Sequence, residues 1–363
     1  MKRYKFILSG GGTAGHINPA LAIAERLENR FPGSEIIFVG AKGRMEMEKV
    51  PKEGYKIKGL WISGFKRGSV FRNILLPFKI ITSLIQSFII NLFYNPSMVV
   101  GTGGYASGPI LFISSIMKIP TVIQEQNSFA GITNRLLSKR VDTILVAFSD
   151  MDKFFPKHKI VETGNPIRKN LLNISKYRNE AFRFFGFDPD KKIIGVLGGS
   201  LGAKKINEIA EYIIPFLELN DIQIIWQCGK MYYKNYQNRE INDSIKIFPY
   251  IKNMNLFYSM VDLIISRAGA LTISELCVVG KPSILIPSPN VTENHQMHNA
   301  NYLKKNGAAE IVSEDQAFKE IEKSIKMILD SEKIKSNMKK ALRRISKPKA
   351  TDLIVNEINK LIK

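Results

Sequence analysis

The chain has 363 residues, of which 45% are hydrophobic and 23% charged, a composition typical of a globular protein with room for two domains. Its formal net charge of +21 at pH 7 indicates a polyanionic partner or surface, unless the lysines reflect a coding bias spread over solvated faces. The two cysteines, Cys228 and Cys277, are far apart in sequence, which excludes a disulfide framework and a cysteine-cluster zinc site and fits a reducing compartment.

Short apolar strands alternate with helical segments through the first half of the chain. The run KFILSG near the start predicts a first strand and not a signal peptide. It leads into the glycine turn GGGTAGH and a helix over 19–29. Further strands are predicted over 35–40, over 97–109 where the apolar run passes into glycines, over 121–127 and over 143–148.

The same alternation restarts after ETGNPIRKN, with KIIGVLGGSLGA as the next strand, glycine turn and helix. It predicts parallel, doubly wound sheets and therefore an α/β fold with two Rossmann-like domains. We expect these domains over 1–165 and 166–345, and a C-terminal helix over 346–363. Periodicity leaves open which half this helix packs on, and we expect the first domain.

One segment, 64–94, combines basic residues with a dense apolar run. Pro77, Lys79, Gln86 and Asn91 interrupt it too often for a transmembrane helix. It is a crossover helix packed on the sheet, an interfacial patch that enters lipid and meets anionic headgroups, or both, with different faces of the same helix. The patch residues are Lys66, Arg67, Phe71, Arg72, Leu75, Leu76, Phe78 and Lys79.

The first glycine turn matches the dinucleotide spacing G-x-G-x-x-G at Gly10, Gly12 and Gly15. A nicotinamide site also needs a carboxylate at the end of the second strand, and GAKGR follows Val39 instead. Lys42 or Arg44 leaves a 2′-phosphorylated cofactor open. Glycine turns recur, however, in GTGGYASGP, GGSLGA and SRAGA, so both halves carry phosphate-ready loops. This pattern predicts two phosphorylated ligands that meet across a cleft.

Taken together, seven motifs resemble those of the peptidoglycan N-acetylglucosaminyltransferase family called MurG. They are GGTAGH (11–16), GTGGYASGP (101–109), EQN (125–127), GNPIR (164–168), GGSLGA (198–203), RAGALTISE (267–275) and HQMHNA (295–300). The resemblance implies a glycosyltransferase B fold and inverting transfer of GlcNAc from UDP-GlcNAc to the C4 hydroxyl of MurNAc-pentapeptide on undecaprenyl pyrophosphate. That reaction converts lipid I to lipid II in peptidoglycan synthesis.

The resemblance also implies partners and a location. The partners are UDP-GlcNAc, the lipid-linked acceptor and anionic lipids of the inner membrane, on whose cytoplasmic face the enzyme is peripheral. Nucleic acid is not expected as a partner, because zinc fingers, RNP-type strands and arginine-rich arms are missing from the sequence. No cofactor is required, and a divalent cation is at most a stimulant, because the two Asp-x-Asp pairs at 150–152 and 188–190 suit capping and turn roles.

The family's site residues carry over onto two sets of positions. In the donor site, Arg168 and the glycine turn would hold the diphosphate, Ile251 the uracil and Glu275 the ribose. The full donor set is Arg168, Gly199, Ser200, Ile251, Ala270, Leu271, Thr272, Glu275, His295 and Gln296. The acceptor set is Thr13, Ala14, Gly15, His16, Gly103, Gly104, Tyr105 and Asn127.

His16 and Glu275 are the catalytic candidates, with His16 as the general base. The alternative role for His16 is to bind the acceptor pyrophosphate or order its loop. Two positions depart from the family, since Leu201 stands where glutamine is frequent and Gln124 where histidine is frequent. The alternative functions are a UDP-GlcNAc 2-epimerase and another glycosyltransferase B enzyme with a lipid acceptor.

Overall fold

The computed structural model describes residues 3–65, 73–199, 201–240 and 242–362. The chain forms two compact units, Met1–Ile167 with Lys349–Lys363, and Arg168–Pro348. The expected boundaries were 165/166 and 345/346. Predicted residues that lie outside the described ranges are Lys66, Arg67, Phe71, Arg72 and Ser200.

In the described part of the first unit, seven parallel strands form one sheet in the order β3-β2-β1-β4-β5-β6-β7. The strands are β1 (Lys5–Gly10), β2 (Glu35–Ala41), β3 (Lys56–Leu60), β4 (Met98–Gly103), β5 (Thr121–Glu125), β6 (Thr143–Val146) and β7 (Ile160–Glu162). The helices are α1 (Ala14–Arg30), α2 (Glu46–Lys52), α3 (Leu76–Tyr94), α4 (Ser107–Ile116) and α5 (Ile132–Leu137). Buried apolar side chains cover both faces of the sheet, which explains why β1 and β4 are almost continuously apolar.

In the described part of the second unit, six parallel strands form a sheet in the order β10-β9-β8-β11-β12-β13. The strands are β8 (Ile193–Leu197), β9 (Gln223–Gln227), β10 (Ile245–Phe248), β11 (Leu263–Ser266), β12 (Ser283–Leu285) and β13 (Glu310–Ile311). The helices are α6 (Arg178–Phe185), α7 (Lys204–Leu219), α8 (Tyr233–Tyr236), α9 (Met254–Met260), α10 (Ala270–Val279), α11 (His295–Lys305), α12 (Ala317–Leu329) and α13 (Glu332–Ile345).

The last helix, α14 (Ala350–Leu361), belongs to the first unit. Ile354, Val355 and Ile358 are buried in the same apolar cluster as Ile17 and Leu27 of α1. The chain therefore returns to its first unit after completing the second.

The sequence pattern missed three short strands and the start of one helix. The pattern did not predict β3, β7 or β13, whose short or alternating apolar runs are weak signals. The first helix was expected from residue 19, but α1 starts at Ala14 inside the glycine turn, with Thr13 as its N-cap. The sequence pattern places the helix start at Pro19, but this proline lies inside α1.

Candidate active site

Two glycine-rich loops of the first unit lie against each other where the neighbouring strands β1 and β4 end. The amide of Gly11 donates to the carbonyl of Gly103 (3.4 Å). Gly104 has φ +80°, and a Cβ there would lie 2.3 Å from the carbonyl oxygen of Gly11. Only glycine fits so close an approach, so the turn GGGTAGH and the turn GTGGYASGP form one continuous surface.

His16 lies in the first turn of α1, between these two loops. Its Nδ1 is 3.1 Å from the carbonyl oxygen of Gly11 and 3.3 Å from Oγ1 of Thr13. A carbonyl oxygen only accepts hydrogen bonds, so the contact with Gly11 requires a proton on Nδ1, and in the neutral imidazole the lone pair is then on Nε2. A Cβ at Gly103 would lie 3.2 Å from Nε2, which shows that this nitrogen is directed toward the second glycine turn. The predicted base therefore has the tautomer that a base needs.

A buried carboxylate supports the first glycine turn from below, and the sequence analysis missed it. Glu46 of α2 is fully buried, and its two oxygens accept from the amides of Gly12 (3.0 Å) and Ala41 (3.0 Å). A Cβ at Gly11 would lie 2.2 Å from Oε1 of Glu46. Glycine is thus needed there to make room for Glu46. Glu46 lies five residues beyond β2, and its two oxygens bind backbone amides in the interior, so it is not a carboxylate available to the ribose of a dinucleotide.

Tyr105 covers the outer side of the same turn. A Cβ at Gly12 would lie 3.4 Å from the ring of Tyr105. Its hydroxyl hydrogen-bonds to Arg44, and burial raises the pKa of this tyrosine. Arg44 therefore stands beside the predicted pyrophosphate loop as a cation that the acceptor set did not include.

The EQN motif is organised by Glu125, which is 2% exposed. Its Oε1 accepts from the backbone amide (3.0 Å) and side-chain amide (3.2 Å) of Asn127. Its Oε2 accepts from the amide of Gly131 (3.0 Å) and from Nδ2 of Asn134 (2.8 Å). Asn134 Nδ2 would lie 3.5 Å from a Cβ at Gly103, so this network links Asn127 to the loop beside His16.

In the second unit, the structure brings Arg168 and Glu275 together. Nε of Arg168 is 3.6 Å from Oε1 of Glu275, and the hydroxyl of Tyr258 donates to Oε2 of Glu275 (3.0 Å). Burial raises the pKa of Glu275, although the Arg168 guanidinium and the hydrogen bond from Tyr258 lower it. Tyr258 is fully buried, and the sequence analysis did not single it out.

The residues Ala270, Leu271 and Thr272 form the first turn of α10, with Gly269 as the N-cap in extended conformation. Amides in a first helical turn have no partner within the helix, and the helix dipole adds positive potential there. No carboxylate lies in this first turn. It is therefore suited to an anion such as a diphosphate.

A glutamine at the end of β9 connects two predicted donor loops. Gln227 donates from Nε2 to the carbonyl of Gly199 (2.9 Å) and accepts at Oε1 from the amide of Ile251 (2.8 Å). Gly199 has φ +85°, in the left-handed region that favours glycine. The amide of Ile251, expected to meet uracil, already has a protein partner in this structure.

Three of the four polar residues of HQMHNA differ in what they contact. His295 begins α11, directly after Glu293 and Asn294, which both have positive φ. Gln296 accepts at Oε1 from the amide of Ser288 (2.9 Å). Asn299 is fully buried and donates to the carbonyl of Ala268 (3.3 Å), which fixes α11 against the loop that precedes α10.

The two positions that depart from the family have different environments. Leu201 is 58% exposed, so its side chain is not part of the core. Gln124 is fully buried and donates from Nε2 to Oδ1 of Asn165 (2.9 Å) within a network of amide side chains. Among the described residues, no group of three or more His, Cys, Asp or Glu has the arrangement of a metal site.

The apolar segment of the first unit forms α3, whose polar face is packed and whose apolar face is exposed. Asn91 is buried and donates to Oγ of Ser114 (2.9 Å), and Gln86 accepts from the amide of Trp61 (2.9 Å). The large exposed apolar side chains of α3 and of its N-cap Leu75 are Leu75, Phe78, Ile80, Ile81, Ile85, Phe88, Ile89, Leu92 and Phe93. We call these nine residues the apolar face of α3.

By length and composition, α3 is sufficient to cross a membrane, with 22% of it buried in the protein. Pro77 lies in the first turn of α3 and Asn91 lies on its packed face, and that α3 does not cross a membrane stays a prediction. Of the predicted patch, Leu75 and Phe78 are exposed and Leu76 is half-buried. Lys79 donates to Oγ of Ser63 (3.2 Å) and lies over the ring of Trp61.

Comparison with known proteins agrees with the two-unit fold. The chain matches the glycosyltransferase family 28 N-terminal domain over residues 6–146 and the C-terminal domain over residues 193–355. The crystal structure of Acinetobacter baumannii MurG superposes with a TM-score of 0.79 at 28% identity, covering 99% of this chain and 100% of that one. A UDP-N-acetylglucosamine 2-epimerase superposes with a TM-score of 0.65 at 13% identity, covering 99% of this chain and 96% of that one, which shows the shared fold alone.

Curated relatives match over their full length. A protein of Flavobacterium psychrophilum is 47% identical over 100% of this chain and 99% of its own, and one of Parabacteroides distasonis is 44% identical over 100% and 99%. Both are named UDP-N-acetylglucosamine–N-acetylmuramyl-(pentapeptide) pyrophosphoryl-undecaprenol N-acetylglucosamine transferase. The expected family and glycosyltransferase B fold are confirmed, and the epimerase alternative is not supported. This chain belongs to glycosyltransferase family 28, as a member of the MurG family.

Proposed function

We propose that this chain transfers GlcNAc from UDP-GlcNAc to MurNAc-pentapeptide carried on undecaprenyl pyrophosphate. The observation that carries the proposal is the 47% identity over the full chain to a relative named for this reaction. The chemistry of the two loop systems is consistent with it, because each unit has glycine turns at the ends of its central strands.

On the donor side, we assign the departing diphosphate to positive groups of the second unit. The first-turn amides of α10 and the Arg168 guanidinium are fixed donors directed at charge that grows as UDP leaves. Glu275, held by Tyr258, has the acceptor oxygens that ribose hydroxyls require.

On the acceptor side, we assign proton removal from the attacking C4 hydroxyl to His16. The contact between Nδ1 and Gly11 keeps the lone pair on Nε2, as general base catalysis requires. Attack on the face opposite UDP would invert the anomeric centre. Arg44 and Tyr105 stand beside the glycine turn where the acceptor pyrophosphate would bind.

We further propose that the enzyme is peripheral on the cytoplasmic face of the inner membrane, with the apolar face of α3 in contact with lipid. The nine exposed apolar side chains of this face, on a helix whose polar face is packed in the unit, support this proposal. The net charge of +21 favours anionic lipids as the surface.

The direct test measures release of UDP from UDP-GlcNAc with and without a lipid I analogue. Release that depends strictly on the acceptor, together with a product that contains both sugars, is expected. Formation of ManNAc from UDP-GlcNAc alone, or release that is independent of the acceptor, would contradict the proposal.

A further inference from the structure

Gln227 is the last residue of β9 and is 5% exposed. Its backbone pairs with Leu197 at the end of β8 and with Phe248 at the end of β10. Both ladders end at this residue. Its side chain hydrogen-bonds to the backbone of Gly199 beyond β8 (2.9 Å) and of Ile251 beyond β10 (2.8 Å).

The two loops that Gln227 contacts follow strands that are not neighbours. In the order β10-β9-β8, the strands before Ile251 and Gly199 stand two strand spacings apart, about 10 Å. No ladder hydrogen bond can span that separation. The side chain of Gln227, on the middle strand, is therefore a direct link between these loops.

A primary amide is the group that this link requires. Gly199 supplies a carbonyl, which needs a donor, and Ile251 supplies an N–H, which needs an acceptor. Glutamine offers both on one planar group, whereas glutamate has no donor and asparagine is one methylene shorter. Because Gln227 is buried, loss of the amide leaves the Ile251 N–H without a partner in a site that water reaches poorly.

We propose that Gln227 is a positioning residue that fixes the distance between the uracil segment and the diphosphate turn of the donor site. The inference rests on the proposed function, in which one loop meets the base and the other the diphosphate. A ligand that spans both loops gains from their preset separation, because less ordering remains to be done on binding. A ligand that reaches one loop gains little.

The chain has a matched control on the same strand. Gln223 begins β9, is 3% exposed, and also makes two side-chain hydrogen bonds to backbone, both with Asp188 (2.9 and 2.8 Å). It lies at the opposite end of the strand from the donor loops. Gln223→Met therefore removes the same number and type of hydrogen bonds without touching the predicted site.

The experiment measures the Kd of UDP and of uridine by calorimetry for the full-length protein, Gln227→Met and Gln223→Met. We expect Gln227→Met to lower the preference for UDP over uridine about tenfold, while Gln223→Met keeps it within about twofold. If Gln227 had a purely structural role, Gln227→Met would weaken the binding of UDP and of uridine by the same factor, or the two variants would have equal effects. Either result would overturn the proposal.

Amide hydrogen exchange on the unmodified protein tests the same link without a variant. The Ile251 amide is expected to be protected before any ligand is added, and exchange as fast as in an exposed loop would contradict the link. The failures are distinguishable. If the unmodified chain does not bind UDP, the proposed function fails with this inference; if it binds UDP and the two variants behave alike, only the role of Gln227 fails.

Discussion

The Glu275 side chain is mostly buried, with 14% of its surface exposed, and this desolvation carries a cost that its partners only partly offset. Desolvation raises the pKa of its carboxyl, although Arg168 and Tyr258 both stabilise the ionised form. A folded-state pKa above the unfolded value means that the group's favourable contribution is present at low pH and is lost as pH rises through the folded pKa. At neutral pH the ionised carboxylate therefore costs stability, which is the expected price of a binding group held in a buried position.

The first prediction concerns Glu275→Gln. We expect a higher Tm than the parent at neutral pH, with an advantage that shrinks as pH falls through the raised pKa, together with a loss of UDP-GlcNAc affinity of at least about tenfold. Thermal melts across pH and the KM for UDP-GlcNAc are the measurements. Glu320→Gln, on the exposed surface of α12, is the control and should change neither. A Tm advantage that is independent of pH would show that the carboxylate carries no burial cost.

The second prediction concerns His16. If His16 is the base, His16→Ala lowers kcat by about 10²–10⁴-fold. Single-turnover rates with saturating acceptor measure this step, and UDP affinity of the second unit is the control because His16 lies in the first unit. Near-normal kcat with loss of acceptor affinity alone would assign His16 to pyrophosphate binding instead.

At the scale of elements, α3 differs from an ordinary crossover helix in which face it packs. Asn91 and Ser114 pair inside the unit, while phenylalanine and isoleucine side chains point away from it. A helix that faces water normally shows the reverse arrangement. The proposed lipid contact would remove the penalty of this exposure, since a large apolar side chain that leaves water completely gains about 1.5–3 kcal/mol.

The third prediction follows from that exposure. The double variant Ile81→Glu, Ile85→Glu should lose flotation with anionic vesicles, with partitioning weakened at least about tenfold. Both side chains are more than half exposed, so the fold should persist. Leu219→Glu changes an 87% exposed leucine in the second unit and should float like the parent protein. If the double variant floats like the parent protein, α3 is not the element that binds the membrane.

The elements were largely predictable from the sequence, whereas the side-chain contacts between them were not. Apolar runs before glycines located β1, β4 and β8, because strands buried on both faces leave that pattern. The contacts of Glu46 with Gly12 and of Gln227 with Ile251 join residues far apart in sequence. No local pattern predicts such contacts, since they depend on where separate elements end in space.

At the scale of the whole molecule, the chain builds its first unit from both ends. The helix α14 buries Ile354 and Ile358 against the N-terminal sheet and α1. Its ion pair between Arg26 and Asp352 (2.5 Å) is partly exposed and contributes little beside that burial. The stability of the first unit therefore depends on a helix that follows the second unit in sequence.

The fourth prediction tests this dependence. Ile354→Ala, at a fully buried position, should destabilise the first unit by about 2–5 kcal/mol. Leu353→Ala, next to it and 41% exposed, should stay within about 0.5 kcal/mol of the parent. Denaturant unfolding, monitored by hydrogen exchange in each unit, measures the change in stability of both variants. UDP binding by the second unit should persist in either variant. Equal losses in the two variants would contradict the assignment of α14 to this core.

The α/β class, the repeated strand–glycine–helix units and the family follow from the amino-acid sequence, because they depend on local periodicity and on motif order. What the glycines accommodate, which nitrogen of His16 faces Gly11, which face of α3 is exposed and which side chain joins the donor loops follow from the folded chain. These features depend on distances of a few ångströms between elements that the sheet brings together. Buried polar groups need hydrogen-bond partners at those distances, and Glu46, Tyr258 and Gln227 make such hydrogen bonds.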